Sequence, residues 1–352
     1  MARLVALDAV GTPFVERLQR LWAEGDAVLP VDPRLPDPAR RALLAAARLD
    51  APTEDGDALV IATSGSTGDP KLVVLTHAAV EASALATSAR LEVDPARDRW
   101  LACLPLSHVG GLSVVTRSLV TGTPCTVHDT FDAAAVMHAA ARGCTRTSLV
   151  PTALARVDPQ VFRTILVGGQ EPPADRPANV IATYGLTETG SGIAYDGVPL
   201  DGVEIRVVHD EIHVRGAMLL RAYRNGEDPK DDDGWFPTGD AGSFDHGRVS
   251  VHGRISDVII TGGENVWPVA VERVLRTHAK VSEVLVAGEP DAEWGQRVVA
   301  IVVPHHRNAP PTLDDLRDHT KRWLPAYAAP KALTLVSRLP RTPAGKVRRP
   351  RG

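Results

Sequence analysis

The sequence is poor in cysteine, lysine and aromatic residues, and it has neither a long apolar run nor a strong net charge. Its three cysteines, Cys103, Cys125 and Cys144, form no Cys-x-x-Cys pair and leave an odd count. That argues against a disulfide framework and a structural zinc site, and it fits a reducing, cytoplasmic setting. No stretch reaches the roughly 18 apolar residues of a membrane helix. The start, Met1–Phe14, lacks a basic segment followed by a long apolar run, so neither a signal peptide nor stable membrane insertion is expected. A formal charge of -4 gives no reason to expect nucleic acid or an anionic membrane as partner. Only six of the 39 basic residues are lysines: Lys71, Lys230, Lys280, Lys321, Lys331 and Lys346. Where arginine is the default cation, a lysine points to a need for a compact ammonium.

What is present is an ordinary globular composition, 44% hydrophobic and 23% charged over 352 residues, long enough for two domains. Short apolar runs alternate with helical stretches through the first two hundred residues. Ala58–Thr63 and Lys71–Leu75 read as strands, and Thr76 as the cap of a helix to about Arg90. Further strands are expected at Trp100–Leu104, Cys125–His128, Thr147–Val150, Thr164–Val167 and Val180–Thr183. Between them lie helical stretches at about 38–49, 113–120, 133–141 and 152–157. This alternation predicts an α/β sheet. After about residue 197, short strands at Val203–Val208, Glu211–Arg215 and Arg248–His252, separated by Gly/Asp/Asn turns, suggest a small β subdomain. From Ile255 an α+β unit follows, with a hairpin at Thr261-Gly262-Gly263, helices at 268–278 and 313–323, and strands at 283–288, 298–303 and 332–336. The expected division is residues 1–254 and 255–352.

The densest chemical signal is Ser64-Gly65-Ser66-Thr67-Gly68-Asp69-Pro70-Lys71, directly after a strand. Small residues let backbone N–H groups approach phosphate oxygens, the hydroxyls donate further, and Lys71 adds a point charge. It is not a Walker A loop, because Asp69-Pro70 intervene where Gly-Lys-Ser/Thr must be adjacent. Alone it could equally be a Ser/Gly turn. Four further segments follow: Tyr184–Thr189, Gly234–Asp240 in a turn-rich region, Gly253–Asp257 leading to Ile260–Asn265, and Pro340–Lys346.

Together these segments resemble the adenylate-forming superfamily of acyl-CoA synthetases, peptide-synthetase adenylation domains and luciferases, over about residues 30–349. The resemblance implies a large N-terminal adenylate-forming domain, here shortened, and a mobile C-terminal lid. It implies ATP and Mg²⁺ as cofactors and CoA as cosubstrate. Ser64, Gly65, Ser66, Thr67, Gly68 and Lys71 would hold the β- and γ-phosphates. Gly168-Gly169-Gln170 would line the adenine edge and Tyr184 would stack on its ring. Thr187 would bond the α-phosphate and Glu188 would ligate Mg²⁺. Asp240, with Arg254, would take the ribose hydroxyls. Lys346 would be the catalytic lysine, since an anionic carboxylate must attack an already anionic phosphorus. Gly262 and Gly263 would line a pantetheine tunnel. Ser256 stands at the pivot, where the family usually carries Asp or Lys.

Val28–Pro36, Thr147–Thr152 and Ala194–Gly202 are similar to segments of the o-succinylbenzoate–CoA ligases of menaquinone biosynthesis. That likeness implies Arg156 for the second carboxylate of the acid, which a guanidinium suits. It implies His108 in the acyl pocket, acting in catalysis as well, beside Ser148. The alternative readings are a surface helix arginine for Arg156 and a satisfied core histidine for His108. The alternatives are another aryl- or acyl-CoA ligase, or a stand-alone enzyme loading a carrier protein. The expected partners are small molecules, with the chain a monomer or homodimer.

Overall fold

Short β-rich runs such as Leu-Val-Ile-Ala and Leu-Val-Val-Leu are apolar on both faces, which suits strands covered on both sides. In a computed structural model, which describes residues 2–63, 71–170, 175–341, 347 and 349, these two runs pair with each other inside one five-stranded sheet, and a seven-stranded sheet accompanies it. The described chain divides into two units. One comprises residues 1–206, 213–237 and 244–249; the other comprises 207–212, 238–243 and 250–352.

In the first unit, Leu4–Asp8, Ala27–Val31, Asp57–Ala62, Leu72–Thr76 and Ala222–Tyr223 lie side by side in one sheet. The first three are parallel and the rest antiparallel. The second sheet runs Val198–Pro199, Gly192–Tyr195, Val180–Gly185, Thr164–Val167, Arg146–Leu149, Trp100–Ala102, Cys125–Val127. Its last five strands are parallel, with Trp100 opposite Arg146 and Ser148 opposite Leu166. Helices His77–Arg90 and Val109–Thr121 pack together between the sheets. Thr76 caps the first of these, accepting from the Ala79 N–H at 3.1 Å. The other face of the second sheet buries Leu101, Leu149 and Val167 against Val136 and Ala139 of the helix Ala133–Ala141. Each such fully buried aliphatic side chain contributes about 1.5–3 kcal/mol.

Strands Glu204–Val208, Glu211–Arg215, Phe236–Asp245 and Arg248–Arg254 follow one another in a four-stranded sheet. The second unit holds a sheet of Glu264–Val266, Ile259–Thr261, Gly295–Pro304 and Val281–Asp291, with Ala332–Leu335 parallel to Gly295–Pro304. Helices Pro268–Arg276 and Leu313–Lys321 bury Val271, Leu275 and Leu316 in its core. Thr312 closes a capping box with Asp315.

Three expectations need correction. The N-terminal strand–helix–strand unit, Leu4–Asp8, Gly11–Ala23 and Ala27–Val31, has no counterpart in the sequence reading. Pro30 sits in an interior strand opposite Leu7, a place where proline ordinarily argues against a strand. The segment read as turn-rich, Gly234–Asp240, runs into the ten-residue strand Phe236–Asp245. Its Gly and Pro punctuation masks an alternation in which Phe236, Thr238 and Asp240 are buried. The stretch 152–157 is helical only over Pro151–Leu154. Among the described residues no helix is long and apolar enough to cross a membrane.

Candidate active site

The parallel strands of the second sheet all end at one edge, and the candidate residues leave from those ends. His108 follows Trp100–Ala102, Ser148 and Arg156 accompany Arg146–Leu149, Gly168–Gln170 follow Thr164–Val167, and Tyr184–Glu188 end Val180–Gly185. The carboxyl edge of a parallel sheet is where open α/β proteins bind ligands.

At the phosphate end, three side chains are interlocked. The Tyr223 hydroxyl donates to Glu188 Oε1 at 3.1 Å, and the Lys71 ammonium lies 4.8 Å from the centre of the Tyr223 ring. Tyr223 reaches this point because its strand pairs with Leu72–Thr76, placing Tyr223 opposite Val73. Glu188 rides on a 3-10 turn, Thr187–Thr189, whose shape is fixed locally. The Leu186 N–H donates to Thr189 Oγ1 at 2.9 Å, and the Leu220 N–H donates to the Glu188 carbonyl at 2.7 Å. A Cβ on Gly185 would meet the Ser191 carbonyl at 2.2 Å, so only glycine lets the strand enter the turn this way. Ser64, Gly65, Ser66, Thr67 and Gly68 lie outside the described residues, as does Lys346. The stem of the Ser64–Gly68 segment is described: the Thr63 N–H donates to the Lys71 carbonyl at 2.8 Å. A single carboxylate such as Glu188 suits magnesium, which takes one or two carboxylates and completes its shell from phosphate and water. Among the described residues no cluster of three or more His, Cys, Asp or Glu is set to hold a metal.

In the segment expected to meet adenine, Gly169 has φ +81°, and a Cβ on Gly168 would meet Thr183 Oγ1 at 2.5 Å. Gln170 is exposed.

The acid end is set by topology. The chain passes from Trp100–Ala102 outward to Cys125–Val127, then back across to Arg146–Leu149 and on in the opposite direction. The connections carrying His108 and Arg156 therefore leave neighbouring strands at a switch point, the kind of place where open α/β sheets bind ligands. Gly111 seats the helix after His108: a Cβ there would lie 2.5 Å from the carbonyls of Leu104 and Pro105. His108 is close enough to Asp32 to add to the lowering of that carboxyl, which the Arg34 side-chain hydrogen bond dominates against burial. Ser148 is half-buried. Arg156 is exposed, with its guanidinium 5.0 Å from the centre of the Phe131 ring and in no hydrogen bond or ion pair among the described residues.

Two further groups lie in the second unit. Arg254 Nε is 3.0 Å from Asp240 Oδ1, and its Nη1 donates to the Thr238 carbonyl at 2.8 Å. The Asp240 N–H donates to Thr238 Oγ1 at 3.1 Å. Asp240 is thus held on a strand with its carboxylate against a guanidinium, an acceptor suited to hydroxyl donors. Gly262 and Gly263, with φ of +62° and +83°, form the two-residue turn of the hairpin Ile259–Val266, as a primed turn demands. Gly262 packs on Trp294, whose ring a Cβ would strike at 2.7 Å. Ser256 sits exposed in the 3-10 turn Ile255–Asp257.

The sequence reading missed Tyr223, whose link to Glu188 spans 35 residues and depends on a two-residue strand. No local pattern announces it.

A glycine-rich segment after a strand, a Thr-Glu turn at a parallel-sheet edge and, in the second unit, an Asp–Arg pair are the parts an adenylate-forming enzyme would use. Residues 20–223 match the AMP-binding enzyme family and residues 270–346 the AMP-binding enzyme C-terminal domain, and the chain belongs to that family. Within it, the chain is similar to the probable 2-succinylbenzoate–CoA ligase of Mycobacterium tuberculosis, 40% identical over 94% of this chain and 92% of that protein. Two solved structures of o-succinylbenzoate CoA synthetase (MenE) from Bacillus subtilis are also similar. The AMP complex has a TM-score of 0.87 at 27% identity, covering 98% of this chain and 87% of that one. The complex with ATP and magnesium ion has a TM-score of 0.86 at 28% identity, covering 98% and 88%.

Proposed function

We propose that this chain is a cytoplasmic AMP-forming acid–thiol ligase that adenylates o-succinylbenzoate and passes the acyl group to CoA. The observation that carries this reading is the near full-length likeness to a 2-succinylbenzoate–CoA ligase, 94% of one chain on 92% of the other.

In the proposed mechanism, residues 1–254 bind ATP and the acid, and residues 255–352 form the lid that carries Lys346. Lys71 and the Ser64–Gly68 segment neutralise the β- and γ-phosphates. Tyr184 and Gly168–Gln170 hold the adenine, and Asp240 with Arg254 takes the ribose hydroxyls. Glu188 would hold a magnesium ion, which would supply positive charge against the triphosphate. A carboxylate oxygen of the acid attacks the α-phosphorus, and pyrophosphate leaves with the electrons of the broken P–O bond. Thr187 and Lys346 stabilise the charge that builds on the α-phosphate oxygens. The CoA sulfur, having lost its proton, then attacks the acyl carbon, and AMP departs. Gly262 and Gly263 line the path of the pantetheine arm, and Ser256 absorbs the backbone rotation between the two steps. Arg156 holds the ring carboxylate so that only the succinyl carboxylate is activated, with His108 and Ser148 lining the acyl pocket. The enzyme works as a monomer or homodimer.

The test is pyrophosphate release over a panel of acids, with and without CoA. The proposal expects pyrophosphate with o-succinylbenzoate and a CoA thioester by mass spectrometry; pyrophosphate without thioester would sink the ligase reading. Lys346→Ala is expected to abolish adenylation while sparing thioester formation from supplied acyl-adenylate. Equal loss of both half-reactions would refute the role given to Lys346.

A further inference from the structure

Two of the six lysines, Lys71 and Lys346, have roles in the proposed mechanism. Of the other four, Lys230 carries a partly buried side chain, 18% exposed, whose ammonium sits on main-chain carbonyls. Its Nζ donates to the Leu220 carbonyl at 2.9 Å, to the Arg221 carbonyl at 2.8 Å and to Asp228 Oδ1 at 2.7 Å. These acceptors match the three protons of an ammonium. A guanidinium spreads its donors over a flat fork and cannot converge on such a point, so the place asks for lysine by geometry as well as by charge. Asp228 fixes the approach, since its Oδ1 also accepts from the Lys230 N–H at 3.1 Å.

The two carbonyls belong to the run of chain that holds Glu188. The Leu220 N–H donates to the Glu188 carbonyl at 2.7 Å, and the Tyr223 hydroxyl donates to Glu188 Oε1 at 3.1 Å. Backbone and side chain of Glu188 are thus set by the same four residues, 220–223. That run has little of its own to keep it in place. Its strand, Ala222–Tyr223, is two residues long and lies at the edge of its sheet. The Arg221 N–H donates to the Val74 carbonyl at 2.9 Å and the Arg224 N–H to the Leu72 carbonyl at 2.8 Å. So short a pairing is marginal without support from outside the ladder. Lys230 supplies it from the following turn, and without Lys230 both carbonyls would lose a charged donor.

We propose that Lys230 is a positioning residue for the Glu188 carboxylate: by pinning the carbonyls of Leu220 and Arg221, it holds the run that aims Glu188. All the residues of this relay lie within the first unit. Lys230 itself touches neither metal nor substrate, and its role rests on the reading of Glu188 as the magnesium ligand.

The test uses the full chain and calorimetric binding of α,β-methylene-ATP, which is not cleaved at the α-phosphorus, with and without magnesium. Magnesium should tighten binding to the unaltered protein. With magnesium, Lys230→Met and Lys230→Arg should each bind about tenfold more weakly, the low end of what losing a group that orients a metal ligand costs. Without magnesium, both should bind as the unaltered protein does. Lys230→Arg keeps the charge and most of the stem, so it carries the test even if Lys230→Met does not fold. Native binding by Lys230→Arg with magnesium would overturn the proposal, and so would equal weakening with and without magnesium, the mark of a general loss of packing. Glu188→Ala is the reference. If it removes the magnesium effect while the Lys230 variants keep it in full, Glu188 stays the ligand and Lys230 has no positioning role. If Glu188→Ala keeps the full magnesium effect, the reading of Glu188 falls and this proposal falls with it.

Discussion

The two ends of the candidate site are built differently. At the phosphate end, Lys71, Tyr223 and Glu188 come from three separate segments and lock onto one another, with the turn beneath them tied by its own hydrogen bonds. At the proposed acid end, His108 and Arg156 stand on connections that leave neighbouring strands in opposite directions, and Arg156 lays its guanidinium over the Phe131 ring. Phosphate handling is common to every acid the family activates and rewards a rigid, shared geometry. On the proposed reading, acid selection is placed where side chains can change without disturbing that geometry.

The contrast can be broken from below, where the effect should be largest. Asp98 is buried beneath the acid end, paired with Arg146 and accepting from Thr145 Oγ1 at 2.9 Å. Asp98→Asn should lower folding stability by about 3–5 kcal/mol, measured by denaturant unfolding, because it leaves Arg146 uncompensated. Burial alone would raise the Asp98 carboxyl, but the hydrogen bonds from Arg146 and its neighbours outweigh it and hold the group below its ordinary value. The stabilisation is therefore complete above the unfolded value, near about 3.9, and is lost as pH falls through the lower folded one. Acid unfolding curves of the native protein and Asp98→Asn should converge there. Next in size, Glu188→Ala should cut adenylation by about 10²–10³-fold and raise the magnesium needed for half-maximal rate. Unchanged magnesium dependence would remove Glu188 from the metal. Arg156→Ala should raise KM for the dicarboxylate by about 10–100-fold, the scale of a lost charged hydrogen bond, with little change for benzoate-like monoacids. Equal effects on both would detach Arg156 from the ring carboxylate. Smallest, Tyr223→Phe should reduce the adenylation rate by about 3–10-fold, the scale of one neutral donor, without altering the choice of acid.

Local chemistry was legible in the residues. Thr76 and Thr312 cap the helices expected of them, and the Gly262-Gly263 pair makes the hairpin turn that its backbone freedom allows. Motif order also led to the turn carrying Glu188. What stayed hidden depends on partners distant in sequence. Tyr223 counts only because a two-residue strand lands beside Leu72–Thr76. The strand Phe236–Asp245 hides behind Gly234, Pro237 and Gly239, whose φ values or rings mimic a turn. Gly239 is retained there at φ +72°, with Arg254 Nη1 only 3.2 Å from where a Cβ would stand.

The reversal of strand order between Trp100–Ala102 and Arg146–Leu149 has an evolutionary corollary. Because the connections carrying His108 and Arg156 begin on adjacent strands but belong to separate crossovers, each can drift on its own. On the proposed reading, a lineage could exchange one acid for another by editing two short stretches of gene, while the machinery that spends ATP is inherited intact.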